Sequence, residues 1–134
     1  MSAQRMNDRL GWSPSPSGAI LNDYVMVFNK NSNDGGKANI MYSPGNLVEG
    51  IIYSVNEEDL LILDKFEGVA SKQYKRYNID VRKNNKKTIA AVAYKAQNTG
   101  KICAPTEEYL NYILEGKAFL SPGYYSKLES TETL

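Results

Sequence analysis

The chain of 134 residues has the length of one domain, 1–134, and can bury a sizeable core. Hydrophobic residues make up 42% and charged residues 23%, and the formal net charge of +1 gives no electrostatic reason to expect nucleic acid or an anionic membrane as a partner. No apolar run approaches the ~18 residues that a membrane span needs, and the first residues lack the apolar stretch of a secretory signal, so we expect a cytoplasmic protein.

The residue inventory restricts the chemistry that this chain can perform. It contains no histidine, which excludes Ser-His-Asp and Cys-His catalysis and histidine metal sites within the chain. The single cysteine, Cys103, permits neither an internal disulfide nor a cysteine zinc cluster. Catalysis would therefore use carboxylates, tyrosines, lysines or backbone amides, and ten tyrosines stand against three phenylalanines.

The first half of the chain predicts strands. Runs rich in β-branched and aromatic residues, bounded by turn formers, predict strands at 22–30, 38–43 and 47–55. The polar Asn/Gly run 29–37 predicts a loop, and the Ser-Pro-Gly-Asn stretch 43–46 predicts a turn.

The clearest local signal is a helix after the third predicted strand. Asn56 is a favourable N-cap, and the acids at 57–59 suit the positive first turn better than they suit a metal site. Apolar anchors follow at Leu60, Leu61, Leu63 and Phe66, and Gly68 ends the helix. Glu67 then lies at the carboxyl end of the helix, where the helix dipole disfavours a carboxylate.

The second half predicts one hairpin and two further helices. The alternating runs 73–83 and 88–96 form the hairpin, and the basic run 82–87 is its solvated tip rather than a phosphate site. Helical spacing and capping residues predict helices at 105–117 and 121–130. Because strands dominate, we expect an α+β fold with a mostly antiparallel mixed sheet or small barrel and two or three helices.

Two strings resemble the γ-glutamylcyclotransferase-like family, which includes the AIG2-like proteins. SPGNLVEGIIYSVNEEDLLILDKFEGV (43–69) is similar to the central segment of that family, with V-x-G-x-x-Y/W, an acidic-headed helix and L-D-x-x-E-G. APTEEYLNYILEGKAFLSPGYYSKL (104–128) is similar to its carboxyl region, in which P-S/T-x-x-Y opens a helix and a G-L-P-x-x-Y-type stretch follows. The resemblance covers nearly the whole chain, although the last stretch matches more loosely.

The amino-terminal end departs from the family pattern. Members open with a strand that ends in Y-G-S-N, usually followed by Met and then Arg-Met or Arg-Leu, whereas this chain begins with MSAQRM. We expect the chain to start just after that motif, so none of the four motif residues can be carried over. Whether the chain is active without them is left open at this stage.

The resemblance implies that a γ-glutamyl group closes on itself and releases 5-oxoproline from a γ-glutamyl amine or γ-glutamyl amino acid. The catalytic glutamate of the family lies in E-G, which corresponds to Glu67, the expected general acid/base. Tyr74, Tyr94 and Tyr109 match pocket tyrosines of the family and are expected to bind substrate. From position alone, Glu67 is as well explained as a solvated residue at a frayed helix end, and each tyrosine as a core or strand-face residue.

The implied partner is a small-molecule γ-glutamyl substrate, and the resemblance implies no cofactor and no metal. A homodimer is left open. The alternative function is a catalytically silent member that binds a small molecule or pairs a free sheet edge with a strand of another chain. Specificity for the leaving group is expected to depend on the segments 29–37 and 69–73.

Overall fold

An antiparallel sheet flanked by helices forms the framework of the chain. The computed structural model describes residues 1–83 and 87–134. In chain order the elements are α1 (Ala3–Leu10), β1 (Pro16–Ser32), β2 (Gly35–Tyr53), α2 (Glu57–Phe66), β3 (Tyr74–Lys83), β4 (Thr88–Ala96), α3 (Glu107–Leu114), a 3-10 turn (Lys117–Phe119) and α4 (Pro122–Glu129). The strand order is β2-β1-β3-β4, and every neighbouring pair is antiparallel. The predicted α+β class is confirmed.

The sheet curves so that its two outer strands, β2 and β4, approach each other. The backbone N–H of Ala96 in β4 donates to Oδ1 of Asn39 in β2 at 2.9 Å, and Asn39 is buried. A side chain thus bridges the two outer strands in place of a backbone ladder. The result approaches the predicted small barrel.

The long hairpin of β1 and β2 replaces the loop predicted at 29–37, and that prediction was wrong. β1 continues to Ser32 and β2 begins at Gly35, so only two residues form the turn. The glycines serve close packing: a Cβ on Gly36 would overlap the carbonyl oxygen of Cys103, and Gly36 N–H donates to the Ala104 carbonyl at 3.0 Å. Composition suggested a loop because glycine is a poor strand former, but here it admits a neighbouring backbone.

The turn predicted at 43–46 is a bulge inside β2, so that prediction was also wrong. Tyr42 pairs with Tyr24 and Leu47 pairs with Asn22, so residues 43–46 lie opposite Asp23 alone. Asp23 adopts a positive φ of 65° and its carboxylate accepts from Gly45 N–H at 3.1 Å. The Pro-Gly pair marks the bulge, and the strand resumes beyond it.

Helix α2 matches its prediction at both ends. Asn56 and Asp59 form a reciprocal capping box, with Asp59 N–H donating to Asn56 Oδ1 at 2.8 Å and Asn56 N–H to Asp59 Oδ2 at 3.1 Å. At the other end Val69 N–H donates to the Asp64 carbonyl at 3.0 Å, and Gly68 has a φ of 65°. This is a Schellman ending, which fixes the backbone on both sides of Glu67.

The predicted hairpin and the two predicted helices of the second half are confirmed with small changes of length, whereas the strand predicted at 22–30 extends over Pro16–Ser32. β3 and β4 form the predicted hairpin, pairing from Tyr74 with Ala96 to Arg82 with Thr88; residues 84–86 of its predicted basic tip lie outside the described residues. The side chain of Thr106 caps α3. α3 ends at Leu114, earlier than predicted, and the chain continues in the 3-10 turn before α4.

Two apolar clusters lie under these elements. Phe28, Leu110, Ile113 and Leu128 join the long hairpin to α3 and α4, and Ala19, Leu21 and Val81 join β1 to β3. None of the described helices combines the length and the apolar character needed to cross a membrane.

Helix α1 was not predicted from the sequence. It contributes no buried residue and is held mainly through polar contacts. Ser2, its N-cap, donates to Glu115 Oε1 at 3.0 Å, and Trp12 Nε1 just beyond the helix donates to Asp59 Oδ1 at 3.1 Å. The Trp12 contact ties the end of α1 to the first turn of α2, and the Arg9–Glu67 ion pair holds α1 beside the carboxyl end of α2.

Candidate active site

A cavity of about 380 Å³ lies where α1, β2, the end of α2, β3 and α3 meet. Its charged lining residues are Glu67, Arg5, Arg9 and Lys37, and its phenols are Tyr53, Tyr74, Tyr109 and Tyr112. Glu67 is the one side-chain carboxylate among the described residues that line the cavity. The composition is that of a small polar binding site.

Glu67 is the first residue after α2, and its side chain is 25% exposed. Burial raises its pKa above the ordinary value of 4.5, and the charges of Arg9 and Arg5 oppose that rise without cancelling it. Arg9 Nη1 lies 3.3 Å from Glu67 Oε1. The carboxylate is therefore neither fully solvated nor placed at a frayed helix end.

Tyr74 and Tyr109 bind the two peptide groups of one residue, Ala38. The Tyr74 hydroxyl donates to the Ala38 carbonyl at 3.0 Å, and the Tyr109 hydroxyl accepts from Ala38 N–H at 3.1 Å. Burial raises the pKa of both phenols, so both stay protonated at neutral pH. The Tyr109 bond uses an oxygen lone pair, which leaves its own O–H as a donor toward the cavity.

Tyr94 is not brought to this cavity. Its hydroxyl donates to Asp64 Oδ1 at 2.6 Å, and Arg76 binds the same carboxylate with Nη2–Oδ2 at 2.8 Å. Tyr94 instead lines a second cavity of about 300 Å³, bordered mainly by β2, α3 and α4, which shares Met1, Tyr109 and Ile113 with the first cavity. The structure brings together Glu67, Tyr74 and Tyr109, and places Tyr94 where it ties β4 to α2.

Tyr53 is a lining residue that the sequence did not single out. Its hydroxyl is buried and has no hydrogen-bond partner in the part of the chain that the structure describes. Burial, with a smaller effect of Glu115, raises the pKa of this phenol. A buried hydroxyl without a partner costs roughly 1–3 kcal/mol, so its presence beside a cavity calls for an explanation.

Arg5 and Arg9 were also missed because α1 was missed. The signal was present: Ser2 suits an N-cap, Gly11 suits a helix end, and the two arginines are four residues apart on one helix face. Arg9 stacks over the Phe66 ring at 5.1 Å. Arg5 stacks over the Tyr112 ring at 4.5 Å.

The fold and cavity define an α+β protein with one partly buried carboxylate in a site walled by tyrosines and arginines. Residues 47–128 match the model of the AIG2-like family. The chain belongs to the γ-glutamylcyclotransferase-like AIG2 family, which confirms the resemblance drawn from its motifs.

Individual relatives agree with that assignment. The chain is 34% identical over 100 residues to the γ-glutamylcyclotransferase of Bos taurus and 32% identical over 100 residues to that of Homo sapiens. In both cases the match covers 73% of this chain and 53% of the relative, so the chain spans about half the length of the curated relatives it matches. A solved structure titled γ-glutamyl cyclotransferase superposes with a TM-score of 0.91 at 28% identity, covering 99% of this chain and 83% of that chain.

Proposed function

We propose that this chain is a γ-glutamyl cyclotransferase-type enzyme, which releases 5-oxoproline from a γ-glutamyl amine or γ-glutamyl amino acid. Relatives with that name at about 30% identity support the reaction class. The observation that carries the proposal is the position of Glu67, a partly buried carboxylate facing a cavity with Tyr74 and Tyr109. A cytoplasmic location stays a prediction, and a homodimer stays an open alternative.

The reaction needs a group that accepts protons from the attacking nitrogen and donates them to the leaving nitrogen. The α-amine of the substrate attacks its own γ-carbonyl carbon, a C–N bond forms, and the C–N bond to the leaving amine breaks. Both reacting groups belong to one molecule, so proximity is already supplied. The attacking ammonium loses two protons as it becomes the lactam N–H, and the leaving nitrogen gains two and departs as an ammonium. In this proposal Glu67 carries each proton in turn from the attacking nitrogen to the leaving nitrogen and ends ionised, as it began, which balances the reaction.

The environment of Glu67 suits both halves of that proton transfer. Burial raises the pKa of the carboxyl group, which makes it a stronger base than a solvated carboxylate. The Arg9 charge opposes that rise in pKa and favours the ionised form, which is the form that accepts a proton. An acid/base residue works best when its pKa approaches the working pH, and partial burial moves Glu67 in that direction.

The tyrosines complete the proposed site. The Tyr109 oxygen accepts a hydrogen bond from Ala38 N–H at 3.1 Å, which holds the hydroxyl in place and leaves its O–H available. We therefore assign Tyr109 as a donor to the oxyanion that develops on the γ-carbonyl oxygen. Tyr74, bound to the Ala38 carbonyl, orients the same peptide and borders the substrate. Tyr94 acts in this scheme through Asp64 and α2 rather than by contact with substrate.

The reaction is tested by incubating the chain with γ-glutamyl amino acids and γ-glutamyl amines and measuring products by mass spectrometry. The proposal predicts 5-oxoproline and the free amine in equal amounts. Glutamate in place of 5-oxoproline would indicate hydrolysis and contradict intramolecular closure. A folded chain that binds these compounds without releasing 5-oxoproline would support the alternative of a silent binding protein.

A further inference from the structure

The cations of the cavity differ in how they are neutralised. Arg9 is paired with Glu67 at 3.3 Å, and Lys37 Nζ lies 3.3 Å from Asp34 Oδ2. Arg5 has no carboxylate within salt-bridge distance among residues 1–83 and 87–134. Arg5 therefore interacts with the Glu67 charge only at longer range and makes no direct ion pair among the described residues.

The Arg5 guanidinium is nevertheless held in a defined place. Its Cζ lies 4.5 Å from the centroid of the Tyr112 ring, and the Tyr112 hydroxyl is anchored to Glu108 Oε1 at 3.4 Å. Stacking occupies the face of the guanidinium and leaves its edge N–H donors available, in the fork geometry that matches a carboxylate. A partly buried, stacked and unpaired arginine is a preorganised receptor for an anion.

The position of Arg5 along α1 relates it to the acid. Arg5 and Arg9 are separated by one helical turn, which places their Cβ atoms about 5–6 Å apart. Arg9 lies against the Glu67 carboxylate. In the proposed reaction the substrate amine binds at the same carboxylate, because Glu67 accepts its proton. A carboxylate two bonds away from the reacting amine or from the scissile nitrogen would then lie within reach of Arg5.

A second unsatisfied donor lines the same cavity. The Tyr53 hydroxyl is buried without a partner among the described residues. An arginine without a direct ion pair and a hydroxyl without an acceptor both point to a ligand that brings acceptor oxygens into the cavity.

We propose that Arg5 is a binding residue of this site, and that it forms a charge-assisted, forked hydrogen bond with a carboxylate of the γ-glutamyl substrate. The proposal rests on the proposed function, since it takes its ligand from that reaction. A γ-glutamyl amino acid carries two carboxylates, one on the glutamyl group and one on the leaving group. The experiment distinguishes them.

Binding is measured by titration calorimetry in the Glu67→Gln background, where turnover does not interfere. The two ligands are γ-glutamylglycine and γ-glutamylethylamide, which have similar size but differ in the carboxylate of the leaving group. The variants are Arg5→Met, Arg5→Lys and, as matched control, Arg82→Met, which changes a half-buried arginine of β3 that lines none of the described cavities.

Arg5→Met is expected to weaken binding of γ-glutamylglycine about 10- to 100-fold, the range for a lost charge-assisted hydrogen bond. Arg5→Lys should recover part of the loss, and Arg82→Met should bind as the background does. If γ-glutamylethylamide is unaffected by Arg5→Met, the residue binds the leaving-group carboxylate; if both ligands weaken equally, it binds the glutamyl carboxylate. Circular dichroism verifies folding, and Arg5→Lys replaces Arg5→Met if the latter is unfolded.

The proposal is overturned if both ligands bind the Arg5 variants within twofold of the background, or if γ-glutamylglycine does not bind the background protein at all. Its failure is separable from failure of the proposed function. Wild-type release of 5-oxoproline with an unchanged KM in the Arg5 variants removes only the role of Arg5. Weakened binding in those variants without any 5-oxoproline release by the wild type removes only the enzymatic proposal.

Discussion

Arg9 on α1 and Glu67 at the end of α2 form an ion pair, with Nη1 and Oε1 3.3 Å apart and both side chains about three-quarters buried, at 23% and 25% exposure. The pair joins two helices that are far apart in sequence and favours the ionised form of the one side-chain carboxylate among the described residues of the cavity. Burial alone would leave Glu67 protonated over a wider pH range, and Arg9 limits that effect.

Replacing Arg9 by Met should therefore raise the pKa of Glu67 further. We expect the acid limb of the kcat/KM profile to move to higher pH, so that activity falls more at pH 6 than at pH 8. An ion pair of limited exposure contributes about 0.2–1 kcal/mol, which corresponds to a few-fold loss. Arg9→Lys, which keeps the charge, should retain most of the wild-type profile; identical profiles for Arg9→Met and wild type would contradict this role.

The stability of the protein should also depend on the ionisation of Glu67. Its pKa in the folded protein is raised above 4.5, so the native state binds this proton more tightly than the unfolded chain. The stabilisation is fully present below the unfolded pKa and is lost as the pH rises through the folded pKa. Glu67→Gln, which imitates the protonated form, should therefore gain stability relative to wild type as the pH rises.

Urea unfolding at about pH 4, 5.5 and 7 measures the free energies of unfolding of wild type and Glu67→Gln. Glu58→Gln is the matched control, because Glu58 lies on the same helix with its side chain exposed. The difference in unfolding free energy between wild type and Glu67→Gln should change across this pH range. The difference between wild type and Glu58→Gln should change little. A difference for Glu67→Gln that stays constant with pH argues against the assigned burial of the carboxyl group.

Tyr109→Phe should affect both catalysis and stability. Losing the hydroxyl leaves Ala38 N–H without its acceptor, at about 1–3 kcal/mol of unfolding free energy. Loss of an oxyanion donor lowers kcat by about 10²- to 10³-fold. Tyr42→Phe is the control, since Tyr42 is exposed and lines none of the described cavities; steady-state kinetics that show equal kcat for both variants would exclude Tyr109 as the donor.

Tyr94→Phe separates support of the fold from binding of substrate. The hydroxyl donates to Asp64 at 2.6 Å, and a hydrogen bond to a charged group contributes about 1.5–3 kcal/mol. We expect thermal unfolding at a lower temperature with KM unchanged. An increase in KM without loss of stability would instead place Tyr94 in contact with substrate, as the family resemblance implied.

Local signals in the sequence predicted the elements that depend on local physics. Asn56 caps the start of α2 and Gly68 follows its end, and both act through hydrogen bonds to the backbone within a few residues. The local sequence was therefore sufficient to predict both ends of the helix. Gly36 could not be interpreted in that way, because its role is to admit the backbone at Cys103, which is distant in sequence. Helix α1 carries local signals in its Ser2 N-cap and in Gly11, but its position beside α2 depends on tertiary polar contacts such as that of Trp12 with Asp59.

The residues of the candidate site also differ in whether the sequence could predict them. Glu67, Tyr74 and Tyr109 came from family motifs, and the structure brings them to one cavity. Tyr53 ends the V-x-G-x-x-Y/W motif and Arg5 stands in the Arg-Met pair that follows the amino-terminal motif, but neither motif indicates a role, and only the packing of α1 and β2 around the cavity singles the two residues out. Tyr94 shares a motif position with the other tyrosines, but its hydroxyl is already engaged by Asp64.

The most direct test of the account is the rate of 5-oxoproline release by Glu67→Gln compared with wild type and with Glu58→Gln. General acid/base catalysis contributes about 10²- to 10⁴-fold, so Glu67→Gln should lose at least 100-fold in kcat while still binding γ-glutamylglycine. Glu58→Gln should retain the wild-type rate. Release of 5-oxoproline by folded Glu67→Gln at a rate close to that of wild type would contradict the central claim.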